Sequence, residues 1–149
     1  MAIALVFPGQ GSQAVGMGKE LHGAHASARA VFAEVDAALG ENLSELMFNG
    51  PIERLTLTEN AQPALMAAAL AVVRVLEDKG LRLADKVACV AGHSLGEYSA
   101  LAAAGALSIA DAARLLRTRG RAMQAAVPPG QGAMAAASAE YSPSEWPAT

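Results

Sequence analysis

The chain has 149 residues, of which 53% are apolar, 4% aromatic and 17% charged, and its formal net charge is -3 at pH 7. That length suits one domain with a core large enough to fold. The weakly acidic balance excludes a bulk polyanion binder, and the scarcity of aromatics excludes a stacking platform for single-stranded nucleic acid.

In chain order, Ile3 to Phe7 is a short apolar run closed by Pro8-Gly9, and it reads as a buried strand. It lacks a basic flank and stops too early for a signal peptide. Gly9 to Gln13 follows as a polar, glycine-rich loop. His22 and His25 precede the first long helix and read as surface residues. Ala28, Val31, Phe32, Val35, Ala38 and Leu39 recur at helical spacing, with Gly40 as the stop. A short helix is expected from Leu43 to Phe48, ended by Asn49-Gly50-Pro51.

The longest helix is expected from about Pro63, placed in its first turn, to Lys79, stopping at Gly80. Its apolar run, Ala64 to Val73, is too short to span a bilayer, which needs about 20 residues. Val87 to Ala91 reads as a second strand, with Cys89 as a buried structural thiol. One cysteine excludes an internal disulfide and a multi-cysteine metal site, so no metal is expected and a reducing cytoplasm fits.

Leu95 to Ala104 reads as helix, and Ser108 as the N-cap of another that runs to Ala126, with Asp111 in its first turn. Gly132 to Ala137 reads as the start of a third strand. The tail from Tyr141 to Pro147 has turn residues and no period. Strands alternating with helices place the chain in the α/β class with a parallel sheet.

Three features carry chemistry. Gly92-His93-Ser94-Leu95-Gly96 lies between an apolar strand and a helical pattern. Two readings stand: a tight turn, or an exposed serine nucleophile on a strained strand-to-helix elbow, with the next N–H aimed at an oxyanion. The strand-and-helix context favours the nucleophile.

In the helix after Ser108, the apolar stripe is expected at Ala112, Leu115, Leu116, Ala122, Met123 and Ala126, with Arg119 on it and Arg114, Arg117 and Arg121 on a solvated face. An arginine among core positions needs an anion, either an internal carboxylate or a ligand carboxylate gripped by its fork.

The loop Phe7-Pro8-Gly9-Gln10-Gly11-Ser12-Gln13 sits at the carboxyl end of a strand, where ligands bind in open α/β sheets. Gln10 is either part of a polar turn or a donor to a carbonyl. A P-loop is excluded because no Gly-Lys-Ser/Thr follows, and the acidic residues Glu34 and Asp36 lie in a helical pattern rather than after a second strand, so nucleotide binding is set aside.

Phe7 to Gln13, Gly92-His93-Ser94-Leu95-Gly96-Glu97-Tyr98-Ser99-Ala100-Leu101, Arg119-Gly120-Arg121-Ala122-Met123-Gln124 and Gln62-Pro63-Ala64-Leu65 together resemble the malonyl-CoA:acyl carrier protein transacylases of fatty acid synthesis. The resemblance implies a hydrolase-like acyltransferase large subdomain, α/β with short parallel strands and many helices, here incomplete. Residues 1–136 would be its N-terminal part and residues 137–149 a divergent tail.

It further implies ping-pong transfer of a malonyl group from malonyl-CoA, through an ester on Ser94, to the phosphopantetheine thiol of acyl carrier protein. Gln10 and the Leu95 N–H would form the oxyanion hole, Arg119 would hold the malonyl carboxylate, and Gln62 and His93 would line the site. Leu95 resembles the residue of malonyl-selective members. No cofactor is implied, malonyl-CoA being the substrate.

The chain departs from the family in length, members being about twice as long, and in its base, a histidine of the second half. Here the histidines are His22, His25 and His93. The expectation is therefore the N-terminal portion of such an enzyme. Two alternatives stand beside it: a serine esterase with the same elbow, and a non-catalytic fragment that lacks the base.

Overall fold

The computed structural model describes residues 3–127. Two strands, β1 (Ile3–Phe7) and β2 (Val87–Gly92), pair in parallel, with Leu5 opposite Val90 and Phe7 opposite Gly92. Both strands lie where their short apolar runs and flanking turn residues put them. The expected third strand at Gly132 to Ala137, the boundary at residue 136 and the tail lie outside the described residues.

The expectation of buried strands is corrected. Of β1 only Phe7 is buried, and Val6 is 74% exposed. Cys89 is exposed as well, not a core thiol. The reason is that helices cover one face of the sheet: Leu5 and Val90 pack against the core, while Ala4, Val6, Cys89 and Ala91 face away. Parallel sheets ordinarily carry cover on both faces.

Eight helices accompany this sheet among the described residues: α1 (Lys19–Ala24), α2 (Ala26–Leu39), α3 (Leu43–Asn49), α4 (Ile52–Thr56), α5 (Thr58–Asp78), α6 (Leu83–Lys86), α7 (Gly96–Ala103) and α8 (Ile109–Ala126). The α/β class holds. Helices α1, α4 and α6 were not expected; each is too short to show an apolar period. The ends that chemistry specifies came out as read. Gly40 closes α2 in the left-handed region, and the Ser108 hydroxyl accepts the Asp111 N–H at 3.0 Å to cap α8.

Helix α5 begins five residues before Pro63, so the proline lies inside the helix, fully buried. This helix is the centre of the molecule. Ala61, Ala64, Ala67 and Ala71 are completely buried along it, and their small side chains let α2 and α8 pack close. Phe32, Leu70 and Leu116 fill the space between, each full burial contributing about 1.5–3 kcal/mol.

His22 is not a free surface residue: its ring packs on Phe48 at 5.1 Å and Phe32 at 6.0 Å between centroids. His25 is half-buried at the junction of α1 and α2.

The stripe of α8 is also corrected. Its buried residues are Ile109, Ala112, Ala113, Leu116, Arg117 and Gly120, whereas Leu115 is 46% exposed and Ala122 and Ala126 face outward. The rotation comes from Gly120. A Cβ there would stand 2.5 Å from the Glu59 Cα, so α8 crosses the start of α5 backbone to backbone. That crossing turns Arg117 into the interior and leaves Arg119 half-buried at its edge.

Candidate functional site

The site begins at the junction of β2 and α7. Ser94 has φ 56°, a left-handed value that among the described residues no other non-glycine residue adopts. Such a conformation costs about 1–3 kcal/mol and persists only where the surroundings enforce it. The flanking glycines show how they do. A Cβ on Gly92 would lie 2.0 Å from the carbonyl carbon and oxygen of Gly96, and one on Gly96 would lie 2.3 Å from the Phe7 carbonyl oxygen. The two glycines are therefore required by close backbone approach. The His93 N–H donates to that same Phe7 carbonyl at 3.1 Å, tying the elbow to the end of β1.

Past the elbow, the N–H groups of Gly96 and Glu97 bond back to the carbonyls of His93 and Ser94. The Leu95 N–H has no acceptor among the described residues, while its side chain is buried. An unpaired donor thus stands beside Ser94 at the start of α7.

Arg119 reaches this point from α8. Its Nη2 donates to the Ser94 Oγ at 2.9 Å and its Nη1 to the Gln62 Oε1 at 2.6 Å. Gln62 is fully buried on α5, and its Nε2 meets the Met123 Sδ at 3.3 Å. The fold thus brings Ser94, Arg119 and Gln62 together from three separate segments.

Gln10 and His93 are placed less centrally. Gln10 is exposed on the loop after β1, and its Nε2 donates to the Thr58 Oγ1 at 3.3 Å, with no bond to Ser94. The Thr58 N–H is in turn bonded by the Gln124 Oε1 at 3.3 Å. His93 is exposed, and its Nδ1 would touch a Cβ on Gly9 at 2.4 Å, so its ring lies against the β1 loop. Among the described residues no histidine, aspartate or glutamate hydrogen-bonds Ser94.

Arg117 is the residue that the helical pattern misplaced. It is 6% exposed, paired with Glu41 and bonded to the Asn60 Oδ1. Burial, and after it the charge of Arg121, lower its pKa from the ordinary guanidinium value. The available signal was Ile109, which with Ala113, Leu116 and Gly120 traces the stripe on which Arg117 falls. Thr58 and Asn60 carried no sequence signal of their own, because they act only as neighbours brought in by the α5–α8 crossing.

The arrangement places a half-buried hydroxyl on a sharp elbow, an adjacent free N–H and a guanidinium within one hydrogen bond. Among the described residues no cluster suited to a metal ion occurs, and no helix is long and apolar enough to cross a membrane.

The family model described as an acyl transferase domain matches residues 4–147. A malonyl CoA-acyl carrier protein transacylase of Bacillus subtilis (strain 168) is 53% identical over 134 residues, covering 90% of this chain and 41% of the relative. The crystal structure of an acyl-carrier-protein-S-malonyltransferase from Bartonella henselae is similar at 63% identity and a TM-score of 0.83, over 85% of this chain and 40% of that one. A malonyl-transacylase solved in complex with a type II PKS acyl-carrier protein is similar at 46% identity and a TM-score of 0.80, over 86% of this chain and 40% of that one. The chain spans about two fifths of the length of these relatives.

Proposed function

Because the chain belongs to the acyl transferase domain family, we propose that its elbow serine takes part in moving a malonyl group from malonyl-CoA to the phosphopantetheine thiol of an acyl carrier protein. The observation that carries this reading is the 2.9 Å hydrogen bond from Arg119 to the Ser94 Oγ. A nucleophile and a carboxylate receptor stand one hydrogen bond apart. An acyl group with a thioester at one end and a carboxylate at the other fits that pair, and a simple ester has no use for the cation.

In the first half-reaction the Ser94 Oγ attacks the thioester carbonyl, the carbon–sulfur bond breaks, and the proton from Ser94 ends on the thiol of coenzyme A. In the second, the carrier thiol attacks the serine ester, the bond between the acyl carbon and Oγ breaks, and the thiol's proton ends on the Ser94 Oγ as the new thioester forms. The Leu95 N–H stabilises the oxyanion of both steps. Gln10 joins it by leaving Thr58. Arg119 holds the malonyl carboxylate through paired hydrogen bonds. Gln62 stands behind Arg119, and His93 stands at the margin of this site. The same reading puts the chain in the cytoplasm, where an exposed thiol such as Cys89 stays reduced.

One observation favours a second reading for these residues alone. No acid–base side chain contacts Ser94 among the described residues, so they hold the acyl site without a proton acceptor for it. Intact mass of the 149-residue chain after exposure to malonyl-CoA, with Ser94→Ala as control, separates the two. A malonyl adduct that the mutant loses supports the acyl-serine step. No adduct, from protein that is folded and still binds malonyl-CoA, supports a binding site without chemistry. An adduct formed equally from simple esters, and unaffected by replacing Arg119, would support an esterase.

A further inference from the structure

We propose that Gln62 is a positioning residue, whose buried side-chain carbonyl clamps one end of the Arg119 guanidinium so that the other end selects acyl groups bearing a carboxylate. The inference rests on the reading of Ser94 and Arg119 given above.

The four arginines of α8 are not treated alike. Arg114 pairs with Asp111, Arg117 with Glu41, and Arg121 with Glu59. Arg119 alone has no carboxylate partner among the described residues; its hydrogen bonds go to Gln62 and Ser94, both neutral. A glutamate at position 62 would have neutralised it. A glutamine holds the guanidinium in place and leaves its charge unspent for a ligand anion.

The geometry of Gln62 is over-determined. It is fully buried, and a buried carboxamide must find partners on both sides. Guanidinium carries only donors, so the Gln62 oxygen is necessarily the atom facing Arg119. That leaves the amide nitrogen on the Met123 sulfur, a weak acceptor, at 3.3 Å. The planar guanidinium, fixed at Nη1, has little freedom left except to pivot about that bond.

Its Nη2 lies on the Ser94 Oγ. An arriving carboxylate draws Nη2 to itself and frees a lone pair of the nucleophile, while Gln62 keeps the guanidinium at the site. An acyl group without a carboxylate gains nothing from the clamp.

The test compares initial rates of Ser94 acylation by malonyl-CoA and by acetyl-CoA, read by intact mass on the full chain. Gln62→Met keeps length and apolar packing but offers the guanidinium no comparable acceptor. It is expected to lower the malonyl-to-acetyl rate ratio roughly ten- to hundredfold, the size of one hydrogen bond to a charged group. The loss should lie mainly in the malonyl-CoA half-saturation and be much smaller for acetylation. Gln62→Glu, which supplies a competing carboxylate, should lower the ratio further. An unchanged ratio, or equal losses for both substrates, would overturn the proposal, the latter marking a packing role only.

A second readout does not depend on acylation. The Arg119 guanidinium signals in heteronuclear NMR, assigned with Arg119→Lys, should shift and exchange faster with water in Gln62→Met. Unchanged signals from a folded variant would also overturn it. If the signals respond but the wild-type chain forms no malonyl adduct, the clamp stands and the reading of Ser94 falls.

Discussion

Replacing Gly92 with alanine tests whether the elbow is held by backbone contact. The added Cβ would meet the Gly96 carbonyl carbon and oxygen at 2.0 Å and the Glu97 nitrogen at 2.3 Å. Non-bonded carbon contacts sit near 3.5 Å or beyond, so the start of α7 must retreat by roughly an ångström or more. It has no free direction, because Gly96 already rests on the Phe7 carbonyl. Overpacking of this kind costs about 1–3 kcal/mol, and contact with backbone rather than a side-chain tip places it at the upper end or above. For a chain of this size the loss corresponds to a fall of about 6–12 °C in Tm.

The control is the same chemical change at Gly23 in α1, where a Cβ would meet nothing within 4 Å. There alanine should stabilise by about 0.5–1 kcal/mol through chain entropy. Urea unfolding followed by circular dichroism compares the three proteins. The signs should be opposite. If Gly92→Ala were as well tolerated as Gly23→Ala, the glycine would not be a steric requirement, and the account of why Ser94 sits at φ 56° would fail.

The buried arginine should matter more to stability than its exposed neighbours. Arg117→Met leaves the Asn60 carbonyl unpaired and breaks the Glu41 pair, and is expected to cost about 1–3 kcal/mol in urea unfolding, whereas Arg114→Met should stay within about 0.5 kcal/mol; equal effects would contradict the corrected face of α8. Ser108→Ala should destabilise by about 1 kcal/mol through loss of the cap on Asp111, and no change in the urea midpoint would show that the cap contributes nothing. Cys89 should react with a maleimide in the native 149-residue chain without denaturant, and protection of the thiol would mean that something covers the open sheet face.

How much of this was legible beforehand depended on the range of the interaction concerned. Gly40, Ser108 and the apolar runs of β1 and β2 act on their own few residues, and the structure has them where the sequence suggested. The elbow was legible in part for the same reason, since Gly92 meets Gly96 within five residues, while the contact of Gly96 with the Phe7 carbonyl is long-range. The start of α5 was not, because Pro63 is tolerated inside the helix and the true first turn, Thr58 to Ala61, is set by neighbours on α8. The phase of α8 was misjudged because Leu115, Ala122 and Ala126 suggested a stripe that the Gly120 crossing rotates away.

Residue chemistry by itself therefore determined what each part is capable of: a strand, a capped helix, a serine on a sharp turn, an arginine in want of an anion. Which arginine is left without an internal carboxylate was decided only by tertiary structure. Arg117 and Arg119 have the same side chain two positions apart on one helix, and α5 supplies the first with Asn60 and the second with Gln62. Glu41, at the turn closing α2, then takes the charge of Arg117, and no carboxylate among the described residues takes that of Arg119. The physical reason is that a helix face is chosen by what packs against it, and the partners of a buried charge come from segments distant in the chain.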